Sequence, residues 1–360
     1  MHRIISVLLI SISSLNFISC QEKKANTTMS QSTTEATKEF RWKETITCPL
    51  GYPVDVYEGG LESAKGSTSL YLGTHTGTYG WGHIGGSMSS GIKPLPNRLD
   101  VVWLSYAEDT FYHIDTKLDY DKMLALFEEG YLDSFTNKKM TYSTIVVGFA
   151  PGGVVVVWLF GSGKQIEVSR YEGKKIVIPE QEIAGLDSHE KLLFSPDYRK
   201  SIMLNEQIVP LEVREANKNK PIPYGIWDTY RKRYNWKPSY SIPKGGEAIN
   251  SYFFMLNGEQ EEFIDETFKN ITFSPRAVPR MVNLGWRDST GQRYGGSVTF
   301  NEQEILKAYQ ELYRNDSAIN AELEFKVNIP NTYLTIVLKG NGQEIPLSEN
   351  QINVYKSSKK

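Results

Sequence analysis

Histidine, cysteine and long apolar runs are what this chain has least of. It holds five histidines and two cysteines in 360 residues. A metal centre needs several such ligands to converge. His2 sits at the extreme N-terminus, and His75 and His83 are too far apart to pair on one helix. Only a loop or hairpin could bring those two together, and neither a metal nor a cofactor is expected. Beyond the first twenty residues no segment offers the roughly 18 consecutive apolar residues of a membrane-spanning helix. The formal charge is −2 at pH 7, so no overall basic field invites nucleic acid. Arg231-Lys232-Arg233 and the lysine-rich tail from Lys356 to Lys360 read as solvated faces. Catalytic signatures are also missing. Gly86-Ser87-Met88-Ser89 lacks the final glycine of a nucleophile elbow. Gly161-Ser162-Gly163-Lys164 is followed by Gln165 where a phosphate loop needs Ser or Thr, and Trp158 stands where its first glycine belongs. That stretch reads as a hairpin turn.

What is present begins with an address. Ile4–Ile18 is mostly apolar with small residues, after a short basic start at His2 and Arg3. Its length suits a signal peptide rather than a span, so residues 1–19 are assigned that role. Phe17-Ile18-Ser19-Cys20 resembles the bacterial lipobox, with Phe17 where leucine is usual. The resemblance implies that Cys20 is acylated and becomes the mature N-terminus, which makes the membrane a partner of the chain. The competing reading is an ordinary secretory peptide with a chance cysteine. Residues 20–39 are polar with almost nothing to bury, which predicts a disordered tether spanning about 25 Å on average. Each buried CH2 contributes about 0.8 kcal/mol, so a multiply acylated cysteine anchors far more firmly than one acyl chain would. With Cys20 consumed, Cys48 has no mate for a disulfide and is expected as a buried structural thiol. Gln21-Glu22-Lys23-Lys24 carries neither an acidic cluster of the kind linked to surface export nor an Asp directly after Cys20. That points to the outer membrane facing the periplasm, with the cell surface as the other option.

The chain also repeats itself. "RWKETITCP" near Arg41 stands against "NWKPSYSIP" near Asn235, and "PNRLDVVWLS" against "PRMVNLGWRD". The segments following Asp119 and Asn301 match, as do "GSGKQIEV" and "GNGQEIPL". Four matches in one order predict an internal duplication. Each unit reads as strands, one amphipathic helix and a β-hairpin. Tyr120, Met123, Leu124, Phe127 and Tyr131 form one helical stripe, capped by Asp119. Ile305, Leu306, Tyr309, Leu312 and Tyr313 form the other, with Asn301 and Glu304 as a capping-box-like pair. The run Val154–Phe160 does not alternate, so that strand should be buried on both faces, one of them covered by the sister unit. The fold class expected is α+β, mostly antiparallel β, with a first unit over 40–216 and a second over 221–355. Tyr224, Trp227, Tyr230 and Tyr234 recur at helical steps and predict a linking helix near 223–235, docked on the sheets.

"GYPVDVYEGG", "LPNRLDVVWLSYAEDTFY" and "GFAPGGVVVVWL" resemble the lipoprotein family of Gram-negative bacteria catalogued as domain of unknown function 2931. The resemblance covers about residues 42–173 and, more weakly, the second copy. It implies an envelope lipoprotein and supplies no catalytic residues. Two places could carry function. Gly73–Gly91 is rich in Gly, Ser and Thr, has no sister in the second copy, and holds His75, Tyr79, Trp81 and His83, a candidate binding loop. It also reads as a meandering hairpin with glycine kinks. Glu108, Asp109 and His113 form a polar cluster that could house an acid–base pair or simply make a β-turn. The favoured reading is a non-enzymatic binding module for a protein or an envelope polymer, with an immunity-type lipoprotein that holds a toxin, or a scaffold in an envelope complex, as versions of it. The alternative is an envelope hydrolase with its site near Glu108 and His113. The address is checked first. Mass spectrometry of the mature chain should find an acylated Cys20 at its N-terminus, and an unmodified terminus elsewhere would overturn the anchor.

Overall fold

The unbroken apolar run Val154–Phe160 constrains the architecture, because such a strand must be covered on both faces. The computed structural model describes residues 38–71, 73–133 and 136–358. Residues 1–37, with the expected signal peptide, Cys20 and nearly all of the tether, lie outside the described residues. The described chain is α+β and mostly antiparallel.

The first half runs β1 (Glu39–Thr47), β2 (Val54–Ser63), β3 (Gly66–Ser69), β4 (Ser90–Pro94), β5 (Arg98–Ser105), β6 (Thr110–Lys117), α1 (Tyr120–Glu129), the small pair β7 (Tyr131–Asp133) and β8 (Lys138–Met140), then β9 (Thr144–Ala150), β10 (Val154–Gly161), β11 (Lys164–Glu172) and β12 (Lys174–Ile176). β4, β1, β9, β10 and β11 lie side by side, and so do β3, β2, β5, β6 and β12. Both groups contribute to one core that holds Trp42, Val56, Trp103, Phe149 and Val155, and α1 adds Met123 and Phe127 to it. Four short helices follow: α2 (Glu180–Gly185), α3 (Pro196–Leu204), α4 (Leu211–Asn217) and α5 (Ile226–Tyr230). Ile178, Leu193 and Ile202 from this stretch pack on Val102 and Leu104, which face away from the main core. Alternation along β5 thus serves two cores at once.

The second half runs β13 (Tyr234–Ser241), β14 (Glu247–Met255), β15 (Gln260–Ile264), α6 (Asp265–Lys269), β16 (Ser274–Arg276), β17 (Pro279–Arg287), β18 (Arg293–Thr299), α7 (Glu302–Leu312), β19 (Ala321–Val327), β20 (Leu334–Gly340), β21 (Gln343–Leu347) and β22 (Gln351–Lys356). Here the neighbours are β16, β13, β19, β20 and β21, and β15, β14, β17, β18 and β22. The core is built on Trp236, Phe253, Trp286, Tyr309 and Phe325. Among the described residues only β1 with β9 and β13 with β19 pair in parallel.

The halves join through one short ladder. β11 and β15 pair antiparallel, Lys164 with Glu261 and Gln165 with Gln260. The ladder turns two five-stranded groups into one ten-stranded sheet.

Local expectations fare unevenly. Asp119 caps α1 by accepting from the Lys122 N–H at 3.3 Å, and Asn301 caps α7 by accepting from the Glu304 N–H at 3.0 Å. The capping box is half formed. The Glu304 carboxylate accepts instead from the backbone of Ser348 (2.8 Å) and Glu349 (3.0 Å), and the Asn301 N–H donates to Asn350. The linking helix near 223–235 is cut to Ile226–Tyr230. Tyr234 opens β13, because pairing with β16 and β19 claims Tyr234 and Trp236. Tyr131 stands in β7 rather than on the helix.

The strand β10 is buried on both faces as its composition requires. Its second cover is no sheet, though Trp227 and Gly258 of the expected second unit take part in it. Val154, Val156 and Trp158 pack under Trp81 from the glycine-rich loop and Trp227 of α5. In Arg231-Lys232-Arg233, Lys232 and Arg233 are exposed as expected of a solvated face, but both arginines also have fixed partners. Arg231 pairs with the buried Glu167 at 2.7 Å and Arg233 with the buried Glu259 at 2.6 Å, at the join of the two halves.

Glu261 concentrates the charge of that join. Lys164 reaches it at 3.0 Å and Arg276 at 2.6 Å. Burial alone would raise its carboxyl; the two cations outweigh burial and hold it below the ordinary carboxylate value. A carboxyl lowered in the folded state stabilises it above the unfolded value near 4.5, and this is lost as pH falls through the lowered value. Glu261→Gln should cost about 3 kcal/mol in denaturant unfolding at neutral pH, because two cations lose their counter-charge. The gap between variant and parent should close in acid, which unfolding curves from pH 7 down to pH 3 would read.

Candidate functional site: the glycine-rich loop

Three polar residues of β1, Glu44, Thr45 and Thr47, explain where the loop goes. All three polar side chains are buried, and a buried polar group must find partners. The loop supplies them. Glu44 accepts from the Met88 and Ser89 N–H groups at 2.8 Å each and from the Ser89 hydroxyl at 2.7 Å. The Thr45 hydroxyl donates to the Gly86 carbonyl at 2.6 Å and accepts from the Gly85 N–H at 3.0 Å. The start of the loop is stitched to β2, where His75 and Val54 exchange both backbone hydrogen bonds. The Thr74 hydroxyl donates to Asp55 at 2.8 Å. The segment is therefore a strap bound along its length rather than a free hairpin.

Its middle is bolted into the join. Trp81 is buried and meets Trp158 edge to face, with ring centres 4.9 Å apart. The Gln165 amide donates to the carbonyls of Gly82 (2.6 Å) and Gly258 (2.5 Å), tying loop, first half and second half together. Gly82 (φ +79°) and Gly258 (φ +88°) cross with their backbones in contact, and a Cβ on either would overlap the other. Only glycine satisfies both the angle and the approach.

The four candidate residues of the loop are thus divided. Trp81 is structural. Tyr79 is 71% exposed and leans on His83, ring centres 4.8 Å apart. His75 and His83 both line a hollow of about 260 Å³, with Tyr79 and the glycines. Burial pushes the His75 imidazole down to about 4, and His83 adds to the shift. His83 is lowered by burial and then by Arg280. Among the described residues no three of His, Cys, Asp and Glu form a metal-ligand set. Cys48 is fully buried below the strap, its thiol donating to the His75 carbonyl at 3.3 Å, and burial raises its pKa strongly.

The polar cluster does not assemble as an acid–base pair. Both Glu108 oxygens are occupied: one accepts from Ser105 (2.8 Å), the other from Tyr112 (2.7 Å), Tyr224 (3.0 Å) and the Gly152 N–H (3.1 Å). Glu108 is a latch between two turns. Asp109 sits in the left-handed region at the β5–β6 turn and accepts from Arg199 at 2.7 Å. His113 lies along β6 against Asp100 at 3.0 Å. The turn reading is the one that holds. Sequence reasoning missed Asp55, buried beside the loop. The available signal was a carboxylate set in the apolar strand "PVDV".

His75 gives a pH prediction. Its folded value lies below the unfolded value of 6.5, so the neutral ring stabilises the fold above pH 6.5, and this is lost as pH falls toward 4. Unfolding free energy should drop by roughly 2–3 kcal/mol over that interval, and His75→Gln should flatten that part of the curve.

No curated protein and no solved structure matches the chain. A family model does, over residues 23–225, a wider stretch than the motifs between 42 and 173. It ends just before α5 and covers more than half of the chain. The protein belongs to that family, described as protein of unknown function, DUF2931.

Proposed function

We propose that this chain is a lipid-anchored envelope protein, built from two copies of one α+β unit, that binds another protein or an envelope polymer through the loop 73–91. The observation that carries the reading is Tyr79. It is an exposed aromatic on a backbone held by Glu44, Thr45 and Gln165. An aromatic presented without ordering cost is what a binding hot spot requires.

The duplication is supported by paired details. The indole N–H of Trp42 donates to the Pro94 carbonyl at the end of β4, and that of Trp236 to the Ala277 carbonyl just past β16, both at 3.2 Å. Lys93 lies over the first ring and Arg276 near the second. Trp103 stacks on Tyr112 across β5 and β6, and Trp286 stacks on Tyr294 across β17 and β18. The strap has no equivalent, since β15 reaches β16 through the short α6. The address rests on the Cys20 motif: acylated, outer membrane, facing the periplasm. An immunity-type role, holding a toxin that enters the periplasm, is the specific version of the binding reading.

Affinity capture from envelope extracts with the full chain tests it. The parent should recover a stable partner, and Tyr79→Ala should weaken that capture roughly thirtyfold, the ~2 kcal/mol of an aromatic anchor. The variant's unfolding midpoint should not move, since the ring is exposed. No partner for the parent, or equal capture by the variant, overturns the reading.

A further inference from the structure

A second cavity, of about 270 Å³, opens beside the strap and shares no lining residue with the histidine hollow. Asp55 lies in its wall and is 5% exposed. One carboxylate oxygen, Oδ2, accepts from the Thr74 hydroxyl at 2.8 Å and from the Tyr106 hydroxyl at 3.3 Å. The other, Oδ1, is buried with no hydrogen-bond partner. A carboxylate oxygen left so is costly. Its usual remedy, a cation across the ladder, is not there: Asp55 faces Leu104 on β5. Around it the wall is mixed, with Leu192 and Leu193 beside aromatic and acidic side chains. Tyr57, Tyr71 and Tyr198 contribute rings, and Glu190 contributes a second carboxylate. The field around Tyr71 is negative, with Asp55, Glu190 and Asp187 all raising its phenol above the ordinary value after burial has done so. No lysine or arginine lines the cavity. His189 is its one basic group, close enough to act on Asp55.

From this geometry we infer that the Asp55 cavity is a binding site for a small organic ammonium ion, primary or quaternary. The ammonium sits against the tyrosine faces, as cations do over electron-rich rings, and Asp55 supplies the counter-charge. The volume lies just below the roughly 300–1,000 Å³ of drug-sized sites, so the ligand is a small molecule or the amino end of a larger one. A sugar or other polyol fits less well, because the wall offers acceptors in excess of donors.

The test is calorimetric titration of the full chain in sodium chloride with choline, with n-propylammonium, and with 3,3-dimethylbutan-1-ol, the uncharged isostere of choline. At least one of the two ammonium ions should bind saturably and the alcohol at least roughly tenfold more weakly. Asp55→Asn should weaken the ammonium roughly tenfold or more. Tyr71→Leu, at a partly exposed position where folding is not at stake, should weaken it severalfold and decides the matter if Asp55→Asn does not fold. Failure of both ammonium ions to bind, equal binding of the alcohol, or unchanged binding in these variants overturns the assignment. Such failure leaves the loop reading untouched, since that reading stands or falls on partner capture by Tyr79.

Discussion

The molecule depends on an edge. β11 and β15 meet over only two residue pairs, and backbone hydrogen bonds at a net ~1 kcal/mol each cannot hold two five-stranded groups together. The side chains around the ladder do. The Trp158 indole donates to the Asn257 carbonyl at 3.1 Å, the Gln165 amide bridges two carbonyls, and the Glu167 N–H donates to Glu259 at 2.9 Å. Around them stand carboxylates each matched to a cation: Glu167 to Arg231, Glu259 to Arg233, Glu261 to Lys164 and Arg276. A seam of this kind contributes register more than raw stability, since a buried pair gains little over a hydrophobic one but penalises every misalignment. It also removes a hazard. Two open sheet edges in one chain invite pairing with other molecules, and here they consume each other.

That join dictates where the rest must lie. Once β11 is committed to β15, the outer face of β10 lies next to the second half yet is not reached by a sheet. Trp81 and Trp227 fill the space, one from a strap and one from a five-residue helix. The strap is fixed there by polar groups of β1 that would otherwise be buried without partners. Its exposed crown is therefore a by-product of its fixed base, and the contact proposed for Tyr79 relies on the hold of Glu44, Thr45 and Gln165 on the loop.

Much of the fold was legible in the sequence because the signals were local. The apolar run of β10, the stripes of α1 and α7 and the caps Asp119 and Asn301 are set by neighbours a few residues away. The failures share the opposite cause. Tyr224, Trp227, Tyr230 and Tyr234 have helical spacing, but β16 and β19 are over 35 residues downstream, and their pairing decides what Tyr234 becomes. The pairing of Arg231 and Arg233 was not read because Glu167 and Glu259 lie far off in sequence. Trp81 read as a binding residue since nothing near it in the chain announces Trp158 as its mate. At the candidate sites, a loop was the one arrangement that could bring His75 and His83 together, and both line one hollow of it. The role of Asp55 was not legible, because one carboxylate in a strand carries no sign of which face it takes.

The two halves treat one position in opposite ways, which bears on why a site would form in only one of them. Trp103 on β5 and Trp286 on β17 occupy like places, so Leu104 and Arg287 do too, and opposite them on β2 and β14 stand Asp55 and Glu247. In the second half the acid is exposed and paired with the facing arginine at 2.9 Å. In the first the acid is buried and faces leucine, under residues such as Leu193 and Tyr198 from the segment after β12. A charge kept while its partner is replaced and its solvent removed is destabilising unless something else supplies the positive end. Under the proposed duplication the second half, with its own core and its share of the seam, holds its side of the sheet while the first carries the cost of a buried acid.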